Sequence, residues 1–466
     1  MYETATFADA SGRLGPMLAE SWRQDEDGLG WRLRIRPQAR FHSGRACDAQ
    51  AIAKAYALHS DPVASPINAF FWRPVESVAA DGDEVVLRLR HPCIGLPSLL
   101  RSWHAAVHNQ ERRAELGDAY GRDGNIDGTG PFRFERWQPE ELFEVVRWDD
   151  YEGSLVPTLE NRGPAHLDGI QWIPLLDERE RVRALEEGTV DCAQNVSLLD
   201  VDRLEANPDL HVLSFQQSAL VYLAIDHEHR ELGFHDLRVR QAISHAIDRD
   251  RLVAEQLDGH GWAQRGPIPS ESHWYERGVE SFNGFAPAQA ARLLDEAGFP
   301  AGSDGVRLRF PALVLDDATA ARAAVAVASM LREVGVELQL EHMSGFEAFY
   351  GALDSHPPAF ISKWFWPDPV DAIVGFISSW SHEGPNWQRA ASPEIDAACR
   401  AWQEAADVET QEHAASQIQL LSAAQLPLIP LFSPAAVWAH HDRVHGWEPT
   451  PTNLYPLYND VWLDDA

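Results

Sequence analysis

The residues best suited to bind or react lie together in Pro358-Ala-Phe-Ile-Ser-Lys-Trp-Phe-Trp-Pro-Asp-Pro-Val-Asp371. Lys363 brings a cation for a carboxylate or phosphate, Trp364 and Trp366 bring aromatic faces, and Asp368 brings a carboxylate. Pro367 and Pro369 fix φ and remove two backbone donors, so a strand leading into this stretch must stop at Trp366. A helix is expected over Ala372 to Trp380, with Asp368 or Asp371 near its start. A strand end with aromatic rings and a carboxylate, just before a helix N-terminus, is where α/β proteins hold small ligands. The same residues also read as two core tryptophans ahead of a stiffened turn.

Other reactive side chains form no catalytic pattern. His227-Glu-His229 and His440-His441 have ligand-type spacing, but paired histidines in an acidic chain are more often solvated, and no metal is expected. Gly128-Thr-Gly130 looks like a phosphate turn, yet no Lys-Ser/Thr follows it. No GxSxG, HExxH, P-loop or strand-borne GxGxxG is present. Cys47, Cys93, Cys192 and Cys399 are far apart, which argues against zinc; a Cys47–Cys93 disulfide is compatible with the spacing but has no positive support. Neither enzyme activity nor a cofactor is expected.

The formal net charge of −32, from 71 Asp+Glu against 39 Lys+Arg, repels nucleic acid and anionic membrane surfaces and argues against both as partners. No apolar run reaches the roughly 20 residues of a membrane span. The 466 residues exceed one core and imply two or three domains. Seventeen tryptophans are enough to furnish both a core and an aromatic cleft.

The elements around these residues alternate between strands and helices. Trp31, Leu33 and Ile35 alternate with arginines as in a half-solvated strand. Asp48 is placed to cap a helix through Leu58, and Val75 to Val78 with Val85 to Leu89 form a hairpin across Asp81-Gly82. Phe132 to Trp137 and Leu142 to Val146 alternate, and Arg179 to Glu187 has helical spacing. Val239, Ala242, Ile243, Ala246 and Ile247 give an amphipathic helix capped by Asp236. Leu308 to Leu313, Ala318 to Val334 and Val336 to Leu340 read as a right-handed βαβ unit.

The segments YETATFADASGRLGPMLAESW, GWRLRIRPQARFHSGRACDAQAIAKAY, GTGPFRFERWQPEELFEVVRWDDYEG, DLRVRQAISHAIDRDRLVAEQLDGHGWAQRGPIP, ARLLDEAGF and KWFWPDPVD with SPEIDAAC closely resemble, in order, the family 5 extracytoplasmic solute-binding proteins of ABC importers, which take up peptides, nickel and oligosaccharides. The resemblance implies an α/β, two-lobe periplasmic-binding-protein-like fold (type II) with an extra small α+β domain. Residues 1–125 would be mostly that small domain, 126–228 with 431–466 lobe one, and 229–430 lobe two. It further implies a monomer, periplasmic or at the cell surface, that passes a small-molecule or peptide ligand to ABC permease subunits. In the family, a signal peptide, a lipid-anchor cysteine and a first strand precede the "YE" that here follows Met1, so that strand and signal are expected to be missing. The N-terminal residues carry no signal-peptide features. A cytoplasmic ligand-sensing regulatory domain of the same fold is the alternative, opposed by the absence of a helix-turn-helix segment.

By the same resemblance, the cleft would draw on Phe71 and Trp72 (with Phe70 beside them), on Gln217 and Tyr222 from a lobe-one strand, and on Asn386 and Trp387 from a bordering loop. Trp103-His104, Gln216 and the backbone amides of Thr129 and Gly130 are further candidates. Lobe two would contribute Lys363, Trp364, Trp366 and Asp368, with Trp364 foremost. Peptide receptors of the family place an Asp after the tryptophan to pair with the ligand's α-ammonium; here Phe365 or Trp366 takes that place. Asp368 would either replace the carboxylate or cap the next helix. A buried ammonium without a partner is costly, so free-amine peptides are disfavoured, and an oligosaccharide, an opine-like conjugate or a quaternary amine becomes as good a candidate as a peptide.

Overall fold

The computed structural model describes residues 1–9, 12–65, 69, 71–122, 124–366, 368–382, 385–448 and 457–464. Phe70 and Pro367 lie outside the described residues. A short hairpin, β1 (Thr6–Ala8) with β2 (Leu14–Pro16), precedes a four-stranded antiparallel sheet of β3 (Ala19–Gln24), β4 (Gly30–Ile35), β5 (Val75–Asp81) and β6 (Glu84–Leu89), in the order β3-β4-β6-β5. The helix Ala49–His59 packs on this sheet, started by Asp48, whose carboxylate accepts from Ala51 N at 2.9 Å. Trp31, Leu33 and Ile35 of β4 point into the core they share with Ile52 and Tyr56, as their alternation requires.

Next comes a three-stranded meander of β7 (Phe132–Gln138), β8 (Leu142–Arg147) and β9 (Gly169–Trp172). The rest is organised by an eight-stranded mixed sheet. Its members are β10 (Cys192–Ala193), β11 (Leu210–Gln216), β12 (Ala219–Ile225), β13 (Gly261–Ala263), β14 (Leu308–Leu315), β15 (Val336–Met343), β16 (Ala359–Phe365) and β17 (Ile429–His441). The path runs β10-β17-β12-β16-β14-β15, with β11 and β13 also paired to β17. A last small pair, β18 (Val444–His445) with β19 (Trp462–Leu463), lies near the C-terminus.

β17 joins two halves of the sheet. Residues 429–432 pair with β12, 432–434 with β13 and 435–441 with β11. The chain steps from β11 to β12 at Gln217-Ser218, directly opposite, where Ser433 Oγ donates to Gln217 O at 3.3 Å. β12 is buried at every position, as a strand covered on both faces must be.

The parallel β14 and β15 are connected by the helix Ala318–Glu333, whose N-cap Asp317 accepts from Thr319 N and Ala320 N. Gly335, at φ +82, turns the chain from this helix into β15; a Cβ there would lie 2.6 Å from Gly305 O. The helix after β16 begins at Pro369, three residues before the expected Ala372, because Asp368 is its cap and proline is favoured in a first turn. The amphipathic stretch after Asp236 forms Leu237–His245 and then a second helix, Arg249–Gln256, separately capped by Asp248. All four cysteines are free thiols. Among the described residues no helix is long and apolar enough to cross a membrane.

Candidate functional site

The C-terminal end of β16 presents its two faces to different neighbours, because side chains alternate along a strand. Lys363 and Phe365 line a cavity of about 970 Å3 together with Gln217 from the crossover, Asp317 and Thr319 from a helix start, and Trp172 from β9. Trp364 and Trp366 point the other way. Trp364 lies within the ladder, is 4% exposed and packs in the core behind the sheet. Trp366 lies one residue beyond the strand, with its amide donating to Ser218 O at 3.0 Å, and is half-buried.

That position carries the Trp366 ring to the small N-terminal domain. Its centroid is 4.8 Å from Phe71, 5.1 Å from His104 and 6.5 Å from Trp103. Phe71 and His104 are themselves stacked at 4.1 Å. These planes lie within 26–29° of one another, so large apolar faces are removed from water together. Burial pushes the His104 imidazole down to about 3, with nearby His59 adding to the shift, so the ring is neutral in this stack.

Lys363 and Asp317, both lining the cavity, are paired with each other. Lys363 Nζ lies 2.5 Å from Asp317 Oδ2; burial alone would raise the Asp317 carboxyl, but this pairing together with the hydrogen bonds from Thr319 and Ala320 holds it below its usual range. Arg181 donates to the carbonyls of Leu175, Leu176 and Asn195. Asp317 was not anticipated as a wall residue. The available signal was its place after β14 and before a helix, at the carboxyl end of a parallel strand.

Several expected contacts serve the framework in this structure. Trp72 is 1% exposed, and its indole donates to His104 O at 3.1 Å inside the small domain. Tyr222 is 1% exposed, between Phe360 and Phe376. Asn386 is fully buried and ties Ser378 O and Ala390 O at 2.9 Å each. Trp387 is half-buried against Tyr350. Gln216 bonds Ser270 Oγ and Glu271 N. The amides of Thr129 and Gly130 both donate to Met1 O. Asp368 accepts from Val370 N and Asp371 N as a helix cap and is 8% exposed. Neighbouring Asp371 is half-buried and accepts from Trp402 Nε1 at 2.8 Å; desolvation of its carboxyl and then the Asp368 charge push it up to about 7.

The histidine pairs are also engaged. His229 faces Glu231 and His356 O, His441 faces Leu185 O, and burial drives His227 down to about 3. Among the described residues no group of three or more His, Cys, Asp or Glu is placed to hold a metal.

A bipartite sheet joined by a shared strand, with a cavity at the junction and an extra α+β domain against it, defines a two-lobe binding fold of the periplasmic-receptor type. This is a binding architecture, not a catalytic one. Residues 13–387 match the family model described as bacterial extracellular solute-binding proteins, family 5 Middle, and the chain belongs to that family. It is 26% identical over 299 residues to the glutathione-binding protein of Pectobacterium atrosepticum, covering 63% of this chain and 55% of that relative. The chain thus spans about half the length of that relative. The dipeptide-binding protein of Pseudoalteromonas sp. SM9913, solved with Met-Leu, superposes with a TM-score of 0.84 at 19% identity, covering 100% of this chain and 94% of that one. The binding protein AgaA from A. tumefaciens R10, solved with agropinic acid, superposes with a TM-score of 0.81 at 19% identity, over 100% and 93%.

Proposed function

We propose that this chain captures a small organic solute in the cavity beside Lys363, Phe365 and Gln217 and delivers it to ABC permease subunits, acting as a monomer in the periplasm or at the cell surface. The observation that carries this reading is the double role of the β16 end: one face lines a cavity of about 970 Å3, and the next residue, Trp366, stacks on the accessory domain. A solute that orders the cavity wall therefore acts on the contact between lobe and accessory domain, as a receptor that closes on its ligand requires. Residues 1–125 are mostly that accessory domain. Lobe one is taken as 126–228 with 431–466 and lobe two as 229–430, and the crossovers at Gln217-Ser218 and Ser433-Pro434, which lie near both boundaries, support that division.

Charge matching supports the solute class. Asp317 is occupied by Lys363 and by its own helix, Glu178 by Arg322 and Asp191 by Arg443, and the remaining wall carboxylate, Asp316, is exposed rather than buried as a dedicated ammonium partner would be. Trp172 and Phe365 offer aromatic walls, and Gln217 and Thr319 offer neutral hydrogen-bonding groups. An opine-like conjugate, an oligosaccharide or a quaternary amine fits these walls better than a free-amine peptide.

A thermal-shift panel of opines, oligosaccharides, quaternary amines and di- and tripeptides tests the reading. Stabilisation by a member of the first three classes, lost in Lys363→Met and Gln217→Leu, is expected. Stabilisation by free-amine peptides alone would overturn the solute class, and a shift unchanged in both variants would overturn the site.

A further inference from the structure

Two helices from opposite halves of the large sheet meet at the rim of the cavity. Glu178–Glu186 packs on β10 and β17, and Ala318–Glu333 packs on β14, β15 and β16. Arg322 Nη1 on the second donates to Glu178 Oε1 on the first at 3.0 Å, with side chains 23% and 21% exposed. Glu178 is the first residue of its helix, so the carboxylate also sits at the positive end of a helix dipole. On the other side, Arg322 Nε and Nη2 are buried and make no hydrogen bond. The guanidinium has been drawn out of water for this one partner, and it regains hydration only when the two helices separate.

We propose that Glu178 and Arg322 form an interlobe clasp that sets the balance between closed and open forms, and with it how long a solute is retained, without either residue acting as the solute's recognition group. The inference rests on the two-lobe closure proposed above. Opening at the Gln217-Ser218 and Ser433-Pro434 crossover pulls the two helices apart, so the pair exists only in the closed form. A partly buried pair of this kind shifts such an equilibrium by about two- to fivefold.

The test is single-molecule energy transfer on the full, solute-free chain, with dyes at Glu187 and Val325, both exposed. Glu178→Ala and Arg322→Met are each expected to lower the closed-to-open ratio about two- to fivefold, mainly through faster opening. The charge swap Glu178→Arg with Arg322→Glu should return the ratio to within twofold of the parent. Unchanged ratios in the single variants, or a swap as open as they are, would overturn the clasp. If Arg322→Met fails to fold by circular dichroism, Glu178→Ala decides, because that side chain is partly exposed at a helix start. A chain that shows the clasp effect but binds no member of the solute panel keeps this inference and loses the solute-receptor reading, so the two failures are distinguishable.

Discussion

Acidification should loosen the junction between Trp366 and the accessory domain through His104. Its imidazole is 1% exposed and titrates at about 3 in the fold, against an ordinary value near 6.5 in the unfolded chain. A base whose folded value is depressed contributes stability that is complete above pH 6.5 and is lost as pH falls toward 3. At pH 5.0 the loss is about 1.5 pH units at 1.36 kcal/mol each, or about 2 kcal/mol. With its folded value near 3 the ring stays neutral in the stack at pH 5.0, so no cation–π attraction offsets this loss. The comparison is between the parent and His104→Phe, which keeps the aromatic stack but cannot titrate. Hydrogen-exchange protection of residues 96–107, corrected for intrinsic rates, is read at pH 7.5 and 5.0. The parent should lose about thirtyfold more protection than the variant. His59 and His108, also depressed by burial, remain in both proteins and cancel. Equal losses would refute the assignment of the pH effect to His104.

Other groups give separate tests. Asp371 has a raised carboxyl, so its contribution falls as pH rises from 3.8 through about 7; Asp371→Asn should therefore raise the melting temperature at pH 8 and have little effect at pH 4. Arg249 is buried without a carboxylate and donates to the carbonyls of Pro430, Ser244 and Asn283, so Arg249→Met strands them and should cost about 3 kcal/mol or more by urea unfolding. Asp368→Ala should cost about 1 kcal/mol through loss of the helix cap, read in the same assay. Alkylation in denaturant without reductant should label four thiols by intact mass, with Cys47 and Cys399 slowest under native conditions.

What was legible in the sequence was local. Asp48 and Asp236 marked helix starts because a short carboxylate satisfies the first free amides. The Val75–Leu89 hairpin and the βαβ unit from Leu308 to Met343 followed from period and turn residues. The fate of Trp364 and Trp366 was not legible, although they share a strand face. One lies inside the ladder and the other just past it, and that limit is set by where β12 begins, at Ala219, far earlier in the chain. Glu178 and Arg322 are likewise 144 residues apart, so nothing near either residue announces the other. The role of β17 was only half visible: its C-terminal part was assigned to lobe one, but its partners on both sides emerge only when the sheet is assembled.

That strand has a consequence for biosynthesis. Residues 429–441 complete both halves of the large sheet, yet they are made long after β11 and β12, the strands they join. Until they arrive, β11 and β12 lack a shared neighbour, and the wall formed by Pro434, Ala435 and Val437 is absent. Such sequence-distant pairing is slow to form and leaves strand edges exposed meanwhile. The nascent chain is therefore held short of a binding-competent state until β17 has been made, which gives holding chaperones time to engage it.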